Sequence, residues 1–325
     1  MGAVESTTVR PTAADVLAAA ERIRPFVHRT PVLTCTAIDD VCGRPVLMKA
    51  EHLQKIGAYK ARGATNQIRT LVEFGASVPG VVAASSGNHG QAVAWAAALA
   101  GIPATIAVPP WIAAPKRAAI EGYGATVLVG GPEPESHLAI ARDLAARDAL
   151  VEVPPFNHPV TIAGQGTWVL EALEEAPPDL DAVVIPVGGG GLASGTALGV
   201  EAVGRQVPVY GAEPAGADDT ARSMAVGRVV EIDHPTSIAD ALLSTHPGDL
   251  TFEIMHQRLA GVVTVTDDEI VAAMRLLWER AKQVVEPAGA VSLAAVAQRK
   301  IPGSGPVLIV LSGGNVDLDR FRFPA

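Results

Sequence analysis

A chain of 325 residues, 49% hydrophobic and 18% charged, has material for about two globular domains of roughly 150 residues each and a sizeable buried core. Its formal net charge of −9 disfavours nucleic acid or an anionic membrane as a partner, although not a local anion site built from backbone N–H groups. The two cysteines, Cys35 and Cys42, match no zinc or redox spacing and read as reduced thiols of a cytoplasmic protein.

The N-terminal stretch has neither a basic n-region nor an apolar h-region, so no signal peptide is expected. Thr12 caps a helix expected to run to about Phe26, with Asp15 completing a capping box. Residues 45–50 read as a short strand leading into KAEHLQKIGAYKARGA (49–64). There Gly57 and Ala58 form a turn-capable step, and Ala61, Ala64, Ile68, Leu71 and Val72 recur at helical spacing. Lys60 therefore falls at or near a helix N-terminus, where the dipole disfavours an ammonium and eases its deprotonation. A neutral lysine amine is the species that condenses with an aldehyde. Taken alone, a lysine at a helix start is more often a solvated surface residue.

From residue 80 short apolar runs alternate with helical segments. Strands are expected over 81–85, 104–108 and 125–129, and helices over 91–100, 113–121 and 135–146. Residues 80–115 carry almost no charge, but SSGNHGQ and four prolines mark strand, loop and helix and not a membrane span. A second series has helices over 161–173 and 192–203 and strands over 182–187, 207–213 and 262–265. A capping box at 266–269 opens a helix to about Lys282, and 307–311 is a last strand. This alternation predicts an α/β protein of right-handed βαβ units on open parallel sheets. Its natural division is a smaller unit at 80–151 inserted into a larger one made of 1–79 and 152–325.

Four loops carry polar or glycine-rich runs where strands are expected to end, the edge at which open α/β sheets bind ligands. SSGNHG (85–90) offers hydroxyls, an amide and helix-start N–H groups to a carboxylate; a capped βα turn is the equal competitor. Gly188, Gly189, Gly190 and Gly191 follow a strand and precede a helix, which lets backbone N–H groups approach a phosphate. Gly188-x-Gly190-x-x-Ala193, with Glu213 ending the next strand, also fits a dinucleotide fingerprint, so a nicotinamide-dependent oxidoreductase competes here. Glu213, Asp218 and Asp219 place three carboxylates within seven residues, a density suited to Mg²⁺, Mn²⁺ or Ca²⁺, against the plainer reading of a solvated acidic loop. SGGN (312–315) ends the last strand, and Glu286 in VEPAGA reads as a helix-end carboxylate or a general base.

In combination these runs resemble the fold type II pyridoxal-phosphate enzymes, in the serine/threonine dehydratase and serine racemase branch. The resemblance spans Thr30 to Asn315 with the motifs in the family's order: Lys60 in a GSFKxRGA-like run, SSGNHGQ, AGQGT (163–167), GGGGL, EPxxADD, SIAD (237–240), EPAGA and SGGN. It implies two parallel-sheet domains of the tryptophan synthase beta type with pyridoxal 5'-phosphate between them. Lys60 resembles the Schiff-base lysine, Asn88 the partner of the phenolic oxygen, the tetraglycine the phosphate cradle and Ser312 the partner of the ring nitrogen. Ser85, Ser86, Asn88 and His89 would hold the substrate carboxylate. His137, Ser244 and Thr245 would face the rest of the substrate, His137 standing where serine racemases carry an arginine. Glu213, Asp219 and the carbonyl of Ala217 match the family's divalent-cation site.

The implied reaction is loss of water and then ammonia from a 3-hydroxy amino acid such as serine or threonine, giving a 2-oxo acid. Ser86, where plain threonine dehydratases carry alanine, would be an acid/base on the face opposite Lys60 and leans toward a serine racemase with dehydratase side activity, or a 3-hydroxyaspartate dehydratase. Ile56 and Ala58 depart from the family's two hydroxyl residues in TGSFK. The family suggests a homodimer acting on a small amino acid. A non-catalytic amino-acid-binding homologue stays open beside the oxidoreductase.

Overall fold

The computed structural model describes residues 9–75, 78–85, 87–132 and 136–317. In chain order its strands are β1 (Val32–Leu33), β2 (Val46–Lys49), β3 (Val81–Ala84), β4 (Ala104–Val108), β5 (Thr126–Val129), β6 (Val151–Glu152), β7 (Ala182–Pro186), β8 (Val209–Pro214), β9 (Gly261–Val265) and β10 (Val307–Val310). They form a six-stranded sheet ordered β1-β2-β10-β7-β8-β9 and a four-stranded sheet ordered β5-β4-β3-β6. The pairings are parallel except for β1, a two-residue edge strand that runs antiparallel to β2 and that the sequence did not suggest.

Both sheets are covered on two faces, as parallel sheets require. In the larger one β7 and β10 are buried throughout. Met48, Val184 and Ile309 pack under helices that include Asp267–Leu276 and Pro287–Ala297. Val183, Ile185 and Leu308 pack on the other side under Thr167–Glu175 and Gly191–Ala202, with Trp168 at the centre. In the smaller sheet, helices Lys60–Glu73 and Asn88–Ala100 lay Ala64, Ile68, Val93 and Ala97 on Val81, Ala83 and Ile106. Helix Ser136–Asp148 covers the reverse face through Ala141.

The two ends of the chain meet in the large sheet, with Val310 of β10 beside Lys49 of β2. Beyond that pairing a short antiparallel patch forms. Ala58 bridges Gly313, the Tyr59 N–H donates to the Ser312 carbonyl at 3.0 Å, and the Gly314 N–H donates to the Gly57 carbonyl at 2.9 Å. The turn that delivers it has Ile56 at φ 58 and Gly57 at φ 73, and a β-branched residue in that region is strained. The Asn315 amide donates to the Ile56 carbonyl at 2.8 Å and holds it there. Lys60 is thereby seated at the start of its helix, next to Ser312.

The RGA and AGQGT motifs meet where the Lys60 helix crosses Pro159–Gln165. A Cβ at Gly63 would lie 2.8 Å from Gln165 and 3.0 Å from the Thr161 carbonyl, so only glycine permits this approach. Residues 161–173, expected as one helix, form two, Pro159–Gln165 and Thr167–Glu175, parted at Gly166, whose backbone presses on that of Gly195. Helices Thr36–Cys42, Asp219–Val226, Asp249–Arg258 and Pro287–Ala297 are unannounced by the sequence. Pro287–Ala297 is buried on nearly all sides and so has no amphipathic period to read. Among the described residues no helix is long and apolar enough to cross a membrane.

Candidate active site

A cavity of about 260 Å³ opens where the loops after β3, β7 and β10 converge. Its wall brings together Lys60, Ser85, Asn88, His89, His137, Gly188, Gly189, Gly190, Gly191, Ser244 and Ser312. Thr245 is absent from that wall, as are Glu213, Ala217 and Asp219, and Ser86 lies outside the described residues. Ile56 and Ala58 are also absent from it, so the two missing hydroxyls of the TGSFK-like run fall behind the cavity surface.

Lys60 is the first residue of its helix, as the spacing predicts. Its Nζ donates to the Pro155 carbonyl at 2.7 Å. Burial of the amine pulls its pKa down to about 7. Facing it, the tetraglycine turns on Gly190 at φ 88. The Gly189 carbonyl accepts from Thr251 Oγ1 at 2.7 Å and the Gly190 carbonyl from the Ser194 N–H at 2.9 Å. With these acceptors engaged, helix Gly191–Ala202 presents its N-terminal N–H groups, which have no intrahelical acceptor, at the cavity wall. A Cβ at Gly190 would meet Met255 at 2.6 Å, and one at Gly191 would meet Phe156 Cβ at 2.8 Å, so neither position admits a side chain.

Asn88 is held from two sides. Its Nδ2 donates to Glu286 Oε1 at 2.6 Å, and its Oδ1 accepts from Asn315 Nδ2 at 2.8 Å. One N–H of the amide is left for the cavity. Glu286, read from the sequence as a helix-end carboxylate or a general base, stands at the N-cap position of helix Pro287–Ala297, where its side chain makes no cap bond, and it also lines the cavity. Its Oε2 is buried without a partner, and burial pushes its pKa up to about 7, opposed by Lys116 and reinforced by Asp240. Ser85 Oγ accepts from the Gly87 and Gly90 N–H groups at 3.1 and 2.9 Å, so it caps the turn and keeps its own O–H to donate. His89 Nε2 donates to the Val153 carbonyl at 2.7 Å. Burial, and then the neighbouring Lys60, push that ring's pKa down to about 3, which keeps it neutral. Tyr59, of the TGSFK-like run, and Asp240, the last residue of SIAD, also line the cavity, as do Lys116 and Phe156, which nothing local in the sequence marks.

The acidic loop forms a separate pocket of charge. Glu213 stands near the end of β8, and Asp219 starts helix Asp219–Val226. Glu213 Oε1 accepts from the Ala221 N–H at 2.7 Å, but its Oε2 and both Asp219 oxygens are buried without partners. Burial raises Glu213 to about 8 and Asp219 to about 7. Three orphaned carboxylate oxygens suit a hard cation and are costly without one. No group of three or more His, Cys, Asp or Glu side chains fit for a metal occurs among the described residues, so a cation here would need a carbonyl and water to complete its shell.

A lysine amine near neutrality shares this cavity with a glycine turn and a helix start at the carboxyl ends of parallel strands, an arrangement that suits a phosphorylated carbonyl cofactor. The model of the family described as pyridoxal-phosphate dependent enzyme matches residues 23–313, and the chain belongs to that family. It is 42% identical over 312 residues to the L-threo-3-hydroxyaspartate ammonia-lyase of Saccharomyces cerevisiae, covering 96% of this chain and 95% of that one. It is likewise 42% identical to the serine racemase of Homo sapiens, covering 94% and 91% of the two. The solved structure of maize serine racemase superposes with a TM-score of 0.91 at 39% identity, over 96% of this chain and 95% of that one. The family membership decides between a pyridoxal-phosphate enzyme and a nicotinamide oxidoreductase in favour of the former.

Proposed function

We propose that the protein is a dehydratase of 3-hydroxy amino acids, releasing a 2-oxo acid and ammonia from serine, threonine or 3-hydroxyaspartate. The observation that carries this reading is Lys60, with its pKa lowered to about 7, in one cavity with the tetraglycine, Asn88 and Ser312. The cavity's own groups fit pyridoxal phosphate: the tetraglycine would hold the phosphate, the spare Asn88 N–H the phenolic oxygen, Ser312 Oγ the ring nitrogen and Lys60 the aldehyde carbon. When bound, that cofactor supplies the electron sink that makes an amino acid's Cα proton removable. Lys60 then takes the proton, because its buried amine accepts one near neutral pH. The 85–89 turn receives the α-carboxylate through the Ser85 hydroxyl and main-chain N–H groups; the neutral His89 ring, bonded to Val153, contributes position and not charge. Glu286 and Asn315 fix the Asn88 amide from both sides. The two sheets would belong to units at 80–151 and at 1–79 plus 152–325, in a cytoplasmic homodimer.

A panel of serine, threonine and 3-hydroxyaspartate stereoisomers, scored for 2-oxo acid and for enantiomer exchange, tests the reading. Product from none of them, with a ligand-induced rise in melting temperature, would make the chain a non-catalytic amino-acid binder. Serine racemisation is the second reading, favoured by Ser86 and by the similarity to serine racemases. Ser86→Ala is expected to abolish exchange between D- and L-serine while sparing much of the elimination from one enantiomer. Equal loss of both activities would remove Ser86 from that role.

Glu213, Asp219 and the Ala217 carbonyl would hold Mg²⁺, Mn²⁺ or Ca²⁺. Both carboxyls are raised above their unfolded values, so without a cation they contribute stability that is full in acid and lost as pH rises through about 7 and about 8. A chelated sample is expected to fall in melting temperature between about pH 6 and pH 8. Divalent cation is expected to restore it more at the upper end, since coordination needs ionised carboxylates. Indifference to cation across that range would return the loop to a solvated acidic segment.

A further inference from the structure

Lys116 and Asp240 pair across the cavity, Nζ donating to Oδ2 at 2.7 Å. The lysine comes from the first turn of helix Ala114–Gly122, beside the smaller sheet, and the aspartate, the last residue of the SIAD run, opens the 3₁₀ turn Asp240–Leu242. The pair is unequal. The Lys116 side chain is 11% exposed and that of Asp240 57%. Lys116 lies over the turn that faces the substrate carboxylate, since a Cβ at Gly87 would be 3.4 Å from its Nζ.

An ammonium hydrogen-bonded to a hydrated carboxylate, with Glu286 acting on it only through space, is held weakly at that bond, because water screens the partner and competes for it. A carboxylate enclosed beside the same ammonium forms a stronger charge-assisted bond, as its other contacts are with protein. The alternatives for that task are few. Lys60 is committed to the reacting carbon and bonded to Pro155, and His89 stays neutral with Nε2 turned to Val153; His137, read from the sequence as facing the substrate, is the one further basic group of the described lining. Lys60 and Lys116 are the lysines of the described lining, and no arginine joins them. Serine and threonine present one carboxylate, for which the 85–89 turn suffices. A substrate with a second carboxylate on Cβ needs one more cation on the same side of the cavity.

We infer that Lys116 is a specificity-determining residue that exchanges Asp240 for a β-carboxylate, which makes 3-hydroxy amino dicarboxylic acids the preferred substrate class. The inference rests on the proposed dehydratase reading of this cavity. Asp240, released, turns to solvent, where it is already more than half exposed.

The test compares kcat/KM of the holoenzyme for 3-hydroxyaspartate and for serine. Lys116→Gln is expected to lower the ratio of the two by about 10- to 100-fold, mainly through KM, as loss of a charged hydrogen bond does. Asp240→Asn removes a competitor and a like charge, and is expected to raise the ratio about two- to tenfold. An equal fall for both substrates in Lys116→Gln would assign the lysine to the shared α-carboxylate and overturn the inference; so would an unchanged ratio. Binding supplies a readout free of turnover. Succinate, the aspartate skeleton without its amine, is expected to raise the melting temperature more than propionate does, and Lys116→Gln is expected to erase the difference. Should the wild type consume serine but not 3-hydroxyaspartate, the inference fails and the dehydratase reading stands. Should it consume neither, that reading fails, and the succinate shift alone decides whether Lys116 receives a dicarboxylate.

Discussion

Replacing Arg62 with alanine is expected to destabilise the fold by about 3–5 kcal/mol, read as a fall in the urea midpoint. Arg62 is fully buried, two residues beyond Lys60. Its guanidinium donates to both oxygens of Glu51 at 2.7 and 2.8 Å and to both oxygens of Glu171 at 2.7 and 2.9 Å. Lys49 joins the cluster through Glu171 and the Thr30 carbonyl, each at 2.7 Å, and Thr30 Oγ1 donates to Glu51 at 2.6 Å. The end of β2, the Lys60 helix and helix Thr167–Glu175 are thus tied at one point. Burial works against each charge, but the pairing outweighs it: Glu51 is held below the usual carboxylate range and Arg62 above its own ordinary value. Removal of Arg62 leaves Glu51 buried with only Thr30 and a more distant Lys49 in support. Its carboxyl would then take up a proton, its folded value rising above its unfolded one, so the deficit should shrink toward about pH 5 and grow toward pH 8. Arg62→Lys should recover only part of the loss, since one ammonium cannot span two carboxylates as the fork does. A deficit under about 1 kcal/mol, flat with pH, would mean that packing and not this cluster anchors the helix.

The parts of this site legible in the sequence are those written locally. Apolar runs ending in glycine or serine mark β3, β7 and β10 because a buried parallel strand needs both faces apolar and its carboxyl-end loop must turn at once. Lys60 is readable because the helical period begins one residue after it. What escaped depends on contacts between distant residues. The patch that seats Lys60 pairs 57–59 with 312–315, and its Asn315–Ile56 bond joins residues 259 positions apart. The Lys116–Asp240 pair spans 124 positions. Gly166 interrupts an otherwise regular helical run because it meets Gly195, which no local pattern encodes. The acidic loop was visible as a cluster of charge, but a solvated loop and a buried cation site share that pattern. The burial of Glu213 and Asp219, which speaks against a solvated loop, is not written in that pattern. Glu286 stands at a helix end, one of its two readings, and its place in the cavity wall depends on contacts that no local pattern encodes.

Lys60→Ala is expected to lower 2-oxo acid and ammonia release at least about 10⁴-fold, and to abolish the visible absorbance of the holoenzyme. Unfolding would mimic the first result, and the energetics of the amine separate the two. In the folded chain Lys60 is pulled down to about 7 by burial, whereas an unfolded lysine ionises near its ordinary, higher value. At neutral pH and below, the folded state therefore bears the cost of a desolvated charge, and alanine removes it. The hydrogen bond forfeited is the donation to the Pro155 carbonyl, which also accepts from Gln165 Nε2 at 2.9 Å and so keeps a partner, and with it goes the contact of Nζ over the Tyr59 ring at 5.3 Å. The melting temperature of the apo variant should accordingly match or exceed that of the apo wild type at about pH 6, while activity is gone. Lys60→Arg sharpens the point, because a guanidinium retains the charge but offers no neutral amine. It should be as inactive as the alanine variant and less stable, having carried an obligate cation into the same buried place. Activity retained in either variant would move the reacting amine elsewhere in the cavity, where Lys116 is the remaining lysine of the described wall.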